Sequence, residues 1–280
     1  MAVKSHASEA IFCSLALCDE RGEKALGKPV GMYLTVEAAS LAKKDDDYHR
    51  EVSEELAGLL RGMLKEHGLE TEKMGRPVRT LVVGLGNPEA TPDALGPKVL
   101  EHLQATRHLE LEYGTDFCRK HGYPVLSGIT PGVMAQTGME SAEIVRGVVK
   151  ETKPDLVLVV DALAARSTKR LNRTFQISDA GIYPGSGVGN HRNALTGESL
   201  GVPVLAIGVP TVVDAATIGG DALREMEREN DSALLQNREH PQALSGLNNM
   251  YVTGKDIDET ILYLSEIVSD GINRALNPEG

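Results

Sequence analysis

Residues 155–161 read DLVLVVD, five consecutive apolar residues closed at each end by a carboxylate. A strand with one wet face alternates polar and apolar side chains. An unbroken apolar run is the mark of a strand buried on both faces, the situation inside a parallel sheet covered by helices. Two further runs repeat the pattern. Leu81–Val83 stops abruptly at Gly84-Leu85-Gly86, and Val202–Val209 runs into Pro210-Thr211-Val212-Val213-Asp214. The strand–loop–helix–strand rhythm between them predicts an α/β fold whose strand ends open on one edge of one sheet.

The intervening segments supply the covering helices. Val52, Leu56, Leu59, Leu60, Met63 and Leu64 recur at helical spacing and face a core, and Gly68 ends that helix. A second helix is expected from Pro92 or Asp93 to about Thr106, with Val99, Leu100 and Leu103 inward. Ile144, Val145, Val148 and Val149 mark a third, broken by Pro154, and Ile261, Leu264, Val268, Ile272 and Leu276 a C-terminal one. Ile11–Leu17 and Gly31–Val36 read as strands of a hairpin-like N-terminal unit, and Thr174–Ser178 as a short strand. Neither repeat nor linker interrupts the chain. Its 280 residues read as one domain, with an N-terminal strand unit over 1–40 and a core over 78–280.

In open α/β sheets ligands bind outside the carboxyl ends of the strands. Asp93 follows the first buried run, beside a helix N-terminus whose dipole favours a carboxylate; it either caps that helix or serves chemistry. Asp161 ends the second run. Topology therefore predicts that these two acids, far apart in the chain, converge. Small and flexible residues gather at the same edge. They are Gly84, Gly86 and Asn87, then Thr130, Gln136 and Thr137 in the Ile129–Ser141 loop, where Ser141 is also a candidate helix N-cap. Gly185, Ser186, Gly187 and Asn190 lie in GIYPGSGVGN, a stretch that demands unusual backbone angles or close backbone approach. Arg166, with Lys169, Arg170 and Arg173, makes a locally basic segment suited to an acidic substrate or to solvent. Asp214 reads as the cap of the helix that follows it.

Several chemistries are excluded. The formal net charge of −11 disfavours a phosphate-binding surface. GxxxxGK[ST] and HExxH are absent, Ser186 lacks a GxSxG frame, and Glu89 stands where a dinucleotide fingerprint needs its third glycine. Cys13, Cys18 and Cys118 show no CxxC spacing, which fits a reduced cytoplasmic chain. His102 and His108 read as surface residues. No cofactor and no metal are assigned; Asp93, Asp161 and His191 form a carboxylate–imidazole triple of a kind that arises easily by chance. No apolar stretch is long enough to span a membrane.

Seven stretches together carry a resemblance. They are GEKALGKPVGMYLTVEA (Gly22–Ala38), LVVGLGNPEATPDALGP (Leu81–Pro97), ITPGVMAQTGMES (Ile129–Ser141), the run from Leu156 to Asn190, LGVPVLAIGVPTVVDA (Leu200–Ala215), MYVTGKDID (Met250–Asp258) and GINRALNP (Gly271–Pro278). In this order and combination the sequence resembles the germination proteases of spore-forming bacteria. The resemblance implies an endopeptidase that degrades small acid-soluble, DNA-coating spore proteins during germination, without direct nucleic-acid or membrane contact. It implies that Asp93, within TPDALGP, and Asp161, within VVDALAAR, are the catalytic pair. It further implies a three-layer α/β/α sandwich with a mostly parallel or mixed central sheet, similar to hydrogenase-maturing endopeptidases. A homotetramer in the spore or forespore cytoplasm, made as a zymogen with an N-terminal prosegment, is implied as well. About ten polar residues precede the Ile11 run, so the expectation here is a short or missing prosegment.

The chemistry agrees with that pair. Two carboxylates a few ångströms apart cannot both ionise cheaply, so one proton is shared, and one acid and one base stand over a common water. Backbone N–H groups of Gly84–Asn87 or Gly185–Gly189 are the candidate oxyanion donors. VGLGNP also resembles the opening of peptidyl-tRNA hydrolases, although Thr106-Arg107-His108 comes too late for that pattern. The glycine loops alone would also suit a non-catalytic peptide-binding scaffold.

Overall fold

The computed structural model describes residues 2–4, 11–17, 21, 28–183, 194–229, 245–247 and 250–277. Nine strands among them form one sheet: β1 (Ala2–Lys4), β2 (Ile11–Leu17), β3 (Gly31–Glu37), β4 (Arg79–Gly84), β5 (Val125–Ile129), β6 (Leu156–Ala165), β7 (Thr174–Ser178), β8 (Val204–Asp214) and β9 (Tyr251–Val252). Their order is β1-β2-β3-β7-β8-β6-β4-β5, with β9 attached to β8. The half β8-β6-β4-β5 is parallel. The half β1-β2-β3-β7, its junction with β8 and the β8–β9 pair are antiparallel. The sheet is mixed, and the N-terminal hairpin is its antiparallel wing.

Alternation along the buried strands sorts their side chains into two cores. Val82, Leu158, Val160, Leu205, Ile207 and Val209 pack on one face with helices α1 (Asp46–Glu66) and α4 (Ile257–Leu276). Leu81, Val83, Val157, Val159 and Val204 pack on the other with α3 (Ser141–Thr152). Because each strand feeds both clusters, its sequence has no polar alternation. Each wholly buried aliphatic side chain contributes about 1.5–3 kcal/mol relative to exposure. Two helix-covered faces around one sheet make the three-layer α/β/α arrangement.

Local signals explain the helix ends. The acidic run before α1 supplies its cap, with Asp45 Oδ1 accepting from Tyr48 N at 3.1 Å. Gly68, at φ +69°, takes the left-handed turn beyond α1. The cap of α3 is Glu140 rather than Ser141: Glu143 Oε2 reaches back to Glu140 N at 3.0 Å, while the Ser141 hydroxyl donates to Gly132 O at 3.1 Å. The helix after β4 is shorter than its apolar spacing predicts. Helix α2 spans Leu95–Glu101 and His108 belongs to a separate helix, Arg107–Tyr113; His102 and His108 are both exposed.

The acid that opens the central run has a structural task. Asp155 accepts from Nη1 and Nη2 of Arg76, at 2.6 and 2.8 Å, and from Arg79 N at 2.8 Å; burial works against them, yet these partners hold its carboxyl below the usual range. It anchors the amino ends of β4 and β6, leaving Asp161 toward the opposite edge.

Candidate active site

Strands β4 and β6 are parallel neighbours registered Gly84 to Val160, and Leu85 N continues the ladder to Val160 O at 2.8 Å. Leu85 is therefore level with Asp161, and Gly86 follows it where β4 leaves the sheet. Asp161 does not end its strand. β6 runs on to Ala165 because β8 extends with it, to Asp214, after β4 has turned away. The acid thus stands where one side of its strand is freed from pairing.

Asp93 is brought back to the same edge by a tight turn. Asn87 O accepts from Ala90 N at 3.1 Å, and a 3-10 turn over Thr91–Asp93 follows. The Asp93 carboxylate does not cap α2. Its Oδ2 accepts from Asn87 N at 2.8 Å, and the cap of α2, Ala94, makes no side-chain bond. The fit requires glycine at Gly86. Its φ is +119°, and an added Cβ would overlap the Asp93 carbonyl oxygen. Likewise a Cβ on Gly84 would overlap Gly96 O, so strand end and helix start cross backbone to backbone.

The register sets what surrounds Asp161. It stands opposite Gly208 on β8, which faces Gln176 on β7, which faces Thr35 on β3. Registered partners point to the same side of a sheet, so these four form a row of small and polar positions on one face. The Asp161 residue keeps some surface exposure, but its carboxyl is densely surrounded by protein. Burial, and after it the negative charge of Asp93, push its pKa up to about 7, against the pull of the Ala162 N–H. The Asp93 pKa is also raised by burial, with the Asn87 N–H acting the other way. The two carboxyls lie at one rim, and Asp161 feels the charge of Asp93.

The neighbouring residues divide. Asn87 Oδ1 accepts from Gln136 Nε2 at 3.1 Å and from Glu89 N at 3.0 Å, so Gln136 latches the Ile129–Ser141 loop onto the Gly86–Asn87 turn. The Thr137 hydroxyl is taken up inside its own loop, accepting from Met139 N at 3.2 Å. Thr130 is exposed, and Met134 and Met139 stand exposed beside Gln136. Arg166 is exposed just past β6. With Arg170 it acts on Lys28, whose Nζ lies 4.7 Å from the Tyr33 ring centroid; burial and these two positive charges lower the Lys28 pKa. Among the described residues only Lys169 of this basic run reaches an acid, Glu225 at 4.0 Å. Asp214 Oδ1 accepts from Ala216 N at 2.7 Å, as a cap of the following helix does. Gly185, Ser186, Gly187, Asn190 and His191 lie outside the described residues. Gly208 and Thr211 carry no local signal: each matters through a partner distant in the chain, and only the polar residue inside VPTVVD hints at Thr211.

The germination protease family model matches residues 1–245. The chain belongs to the germination protease family. The germination protease of Caldanaerobacter subterraneus subsp. tengcongensis is 43% identical over 283 residues, covering 94% of this chain and 83% of that one. That of Clostridium tetani is 41% identical over 281 residues, covering 93% and 83%. That of Priestia megaterium is 36% identical over 326 residues, covering 99% and 86%. A solved NiFe hydrogenase maturation protease from Thermococcus kodakarensis matches at 19% identity and a TM-score of 0.35, covering 70% of this chain and 92% of that one, a likeness too slight to argue from. Family membership makes the chain a peptidase, which sets aside both the peptidyl-tRNA hydrolase and the scaffold readings. No helix among the described residues is long and apolar enough to cross a membrane.

Proposed function

We propose that this germination protease family member cleaves small acid-soluble spore proteins with Asp93 and Asp161 acting as one pair on a shared water. The observation that carries the reading is that the Thr91–Asp93 turn folds back against Gly86 and Asn87 at the carboxyl edge that also carries Asp161, where burial, and after it the Asp93 charge, raise Asp161 to about 7. Below about pH 7, and above the pH at which Asp93 itself takes up a proton, the pair then holds a single proton, residing on Asp161. Ionised Asp93 takes a proton from water as the oxygen attacks the scissile carbonyl, and Asp161 donates its proton to the carbonyl oxygen. In collapse, Asp161 recovers a proton from the diol, protonated Asp93 delivers its own to the leaving amine, and the C–N bond breaks. Leu85 N is committed to Val160 O and Asn87 N to Asp93, so Gly86 N–H is the donor of that turn left to polarise the carbonyl. Lys28, Arg166 and Arg170 give one rim a positive potential in a chain of net charge −11, which suits an acidic stretch of substrate. The same reading takes the enzyme to be a homo-oligomer, a tetramer by resemblance, working in the spore or forespore cytoplasm.

Incubation of the purified protein with small acid-soluble spore protein, with and without chelator, tests this directly. Discrete fragments by mass spectrometry, formed at an equal rate in chelator, are expected. Intact substrate sinks the reading, and loss of cleavage in chelator replaces the bare pair by a metal-bound water.

The pair also predicts a bell-shaped dependence of kcat/KM on pH. The upper limb falls as pH rises through about 7, where Asp161 loses its proton. The lower limb falls as Asp93 takes one up, at a pH above the ordinary aspartate range because burial favours the neutral acid. Peptide cleavage rates followed from about pH 4 to 9 would read both limbs. A flat profile across neutrality is incompatible with the mechanism.

A further inference from the structure

Strand β8 pairs with β6 residue for residue from Val204 to Pro210, then slips: Leu163 faces Pro210, but Ala164 faces Val212. Thr211 is the extra residue of a β-bulge, without a partner on β6. Bulges break a ladder locally and re-aim a side chain, and they concentrate beside active sites. Here the bulge falls just beyond the level of Asp161. Thr211 is buried, and its hydroxyl donates to Pro92 O at 2.6 Å, across 119 positions of sequence. The bulge is itself held from two other sides. Thr253 Oγ1 donates to Thr211 O at 2.7 Å, and Asn172 N donates to Pro210 O at 2.8 Å.

We propose that Thr211 is a positioning residue for the reaction: its hydroxyl fixes the Pro92–Asp93 turn against the strand pair that carries Asp161, and so sets the separation of the two carboxyl groups. The proposal rests on the reading of Asp93 and Asp161 as the reacting pair. Pro92 has no N–H to donate, so its carbonyl is the one polar backbone group by which that residue can be oriented. The peptide unit containing this carbonyl leads straight into Asp93. Without the hydroxyl a half-buried carbonyl loses its partner and the turn relaxes to find another. Thr253 secures the bulge from behind, which makes the segment after β9 part of the same support.

Three variants, Thr211→Val, Thr211→Ser and Thr253→Val, are compared with the parent and with Asp161→Asn on one peptide substrate. Valine keeps the shape of threonine and removes the hydroxyl. It is expected to lower kcat by about 10–100-fold with KM unchanged, since misplacement on an ångström scale has effects of that order. It also moves the upper limb of the pH profile to lower pH, because the Asp93 charge now stands farther from Asp161. Serine restores both kcat and the profile to near the parent's, and Thr253→Val falls in between. A Thr211→Val enzyme with parental kcat and parental pH profile overturns the proposal. Equal losses in the valine and serine variants with an unmoved profile overturn it too, since that is the behaviour of a packing residue. If Thr211→Val does not fold, Thr253→Val carries the same readouts. An inactive Asp161→Asn leaves the paired-acid reading standing when the Thr211 proposal fails, whereas an active one removes both.

Discussion

Replacing Asp161 by Asn abolishes cleavage and at the same time makes the folded protein harder to melt at neutral pH. The activity falls by on the order of 10³-fold or more, because an amide neither holds nor returns the shared proton. The gain in stability follows from linkage. A raised carboxylate pKa contributes stability that is present below the unfolded value and is lost as pH rises through the folded one. The unfolded chain ionises Asp161 near pH 4, at roughly the ordinary aspartate value, whereas the folded chain holds the proton until about 7. Across that window the parent loses stability and the Asn variant does not. At neutral pH the difference amounts to about 2–4 kcal/mol, enough for a rise of several degrees in Tm. Thermal melts of both proteins at about pH 4 and pH 7, beside turnover measurements, check the two halves together. A variant with normal turnover removes the dyad; an inactive variant whose melting follows pH as the parent's does would show that Asp161 is not held protonated by its surroundings. Site and stability pull in opposite directions here, as expected where a fold maintains a strained electrostatic arrangement for chemistry.

Gly86→Ala is expected to damage fold and activity more than any comparable single methyl elsewhere on that edge. The added Cβ meets the Asp93 carbonyl oxygen directly, and the φ of +119° is unfavourable for an L side chain even without that overlap. The backbone of the Thr91–Asp93 turn must retreat, carrying the acid and its Asn87 N–H partner away from Asp161. A stability loss of about 2–4 kcal/mol combines overpacking with backbone strain, and the displaced carboxylate lowers kcat by about 10²-fold. Gly75→Ala is the control. Gly75 has φ +67° with no atom within 4 Å of an added Cβ, so it isolates conformational strain; its cost is near 1 kcal/mol with activity untouched. Chemical denaturation and steady-state rates for the two variants separate the terms. Equal behaviour of the two alanines would mean that the close approach of Gly86 to Asp93 is not what holds the acid.

Some of this was legible locally and some was not. DLVLVVD announces a strand buried on both faces because the pattern within seven residues already states that no side meets water. The hairpin of β2 and β3, the helix on Val52–Leu64 and the C-terminal helix are equally local, since periodicity is a property of neighbours in the chain. The edge that Asp93 and Asp161 share follows from strand direction in a βαβ unit, and both acids could be placed on it in advance. Boundaries were less legible. β6 outruns Asp161 because β8 accompanies it, and α2 starts after Asp93 because the carboxylate closes onto Asn87 instead.

By itself, then, the sequence marked the buried strands and the amphipathic helices, predicted that helices cover both faces of a sheet, and singled out two acids near its carboxyl edge; it marked neither β1 nor β9. Tertiary structure alone decided that β7 enters antiparallel between β3 and β8, that Gly208 faces Asp161, and that a bulge aims Thr211 at Pro92. The reason is that hydrogen-bond partners and like charges act through distance in space. Residues 119 positions apart imprint no period on the chain, so their meeting is visible only once the sheet has assembled.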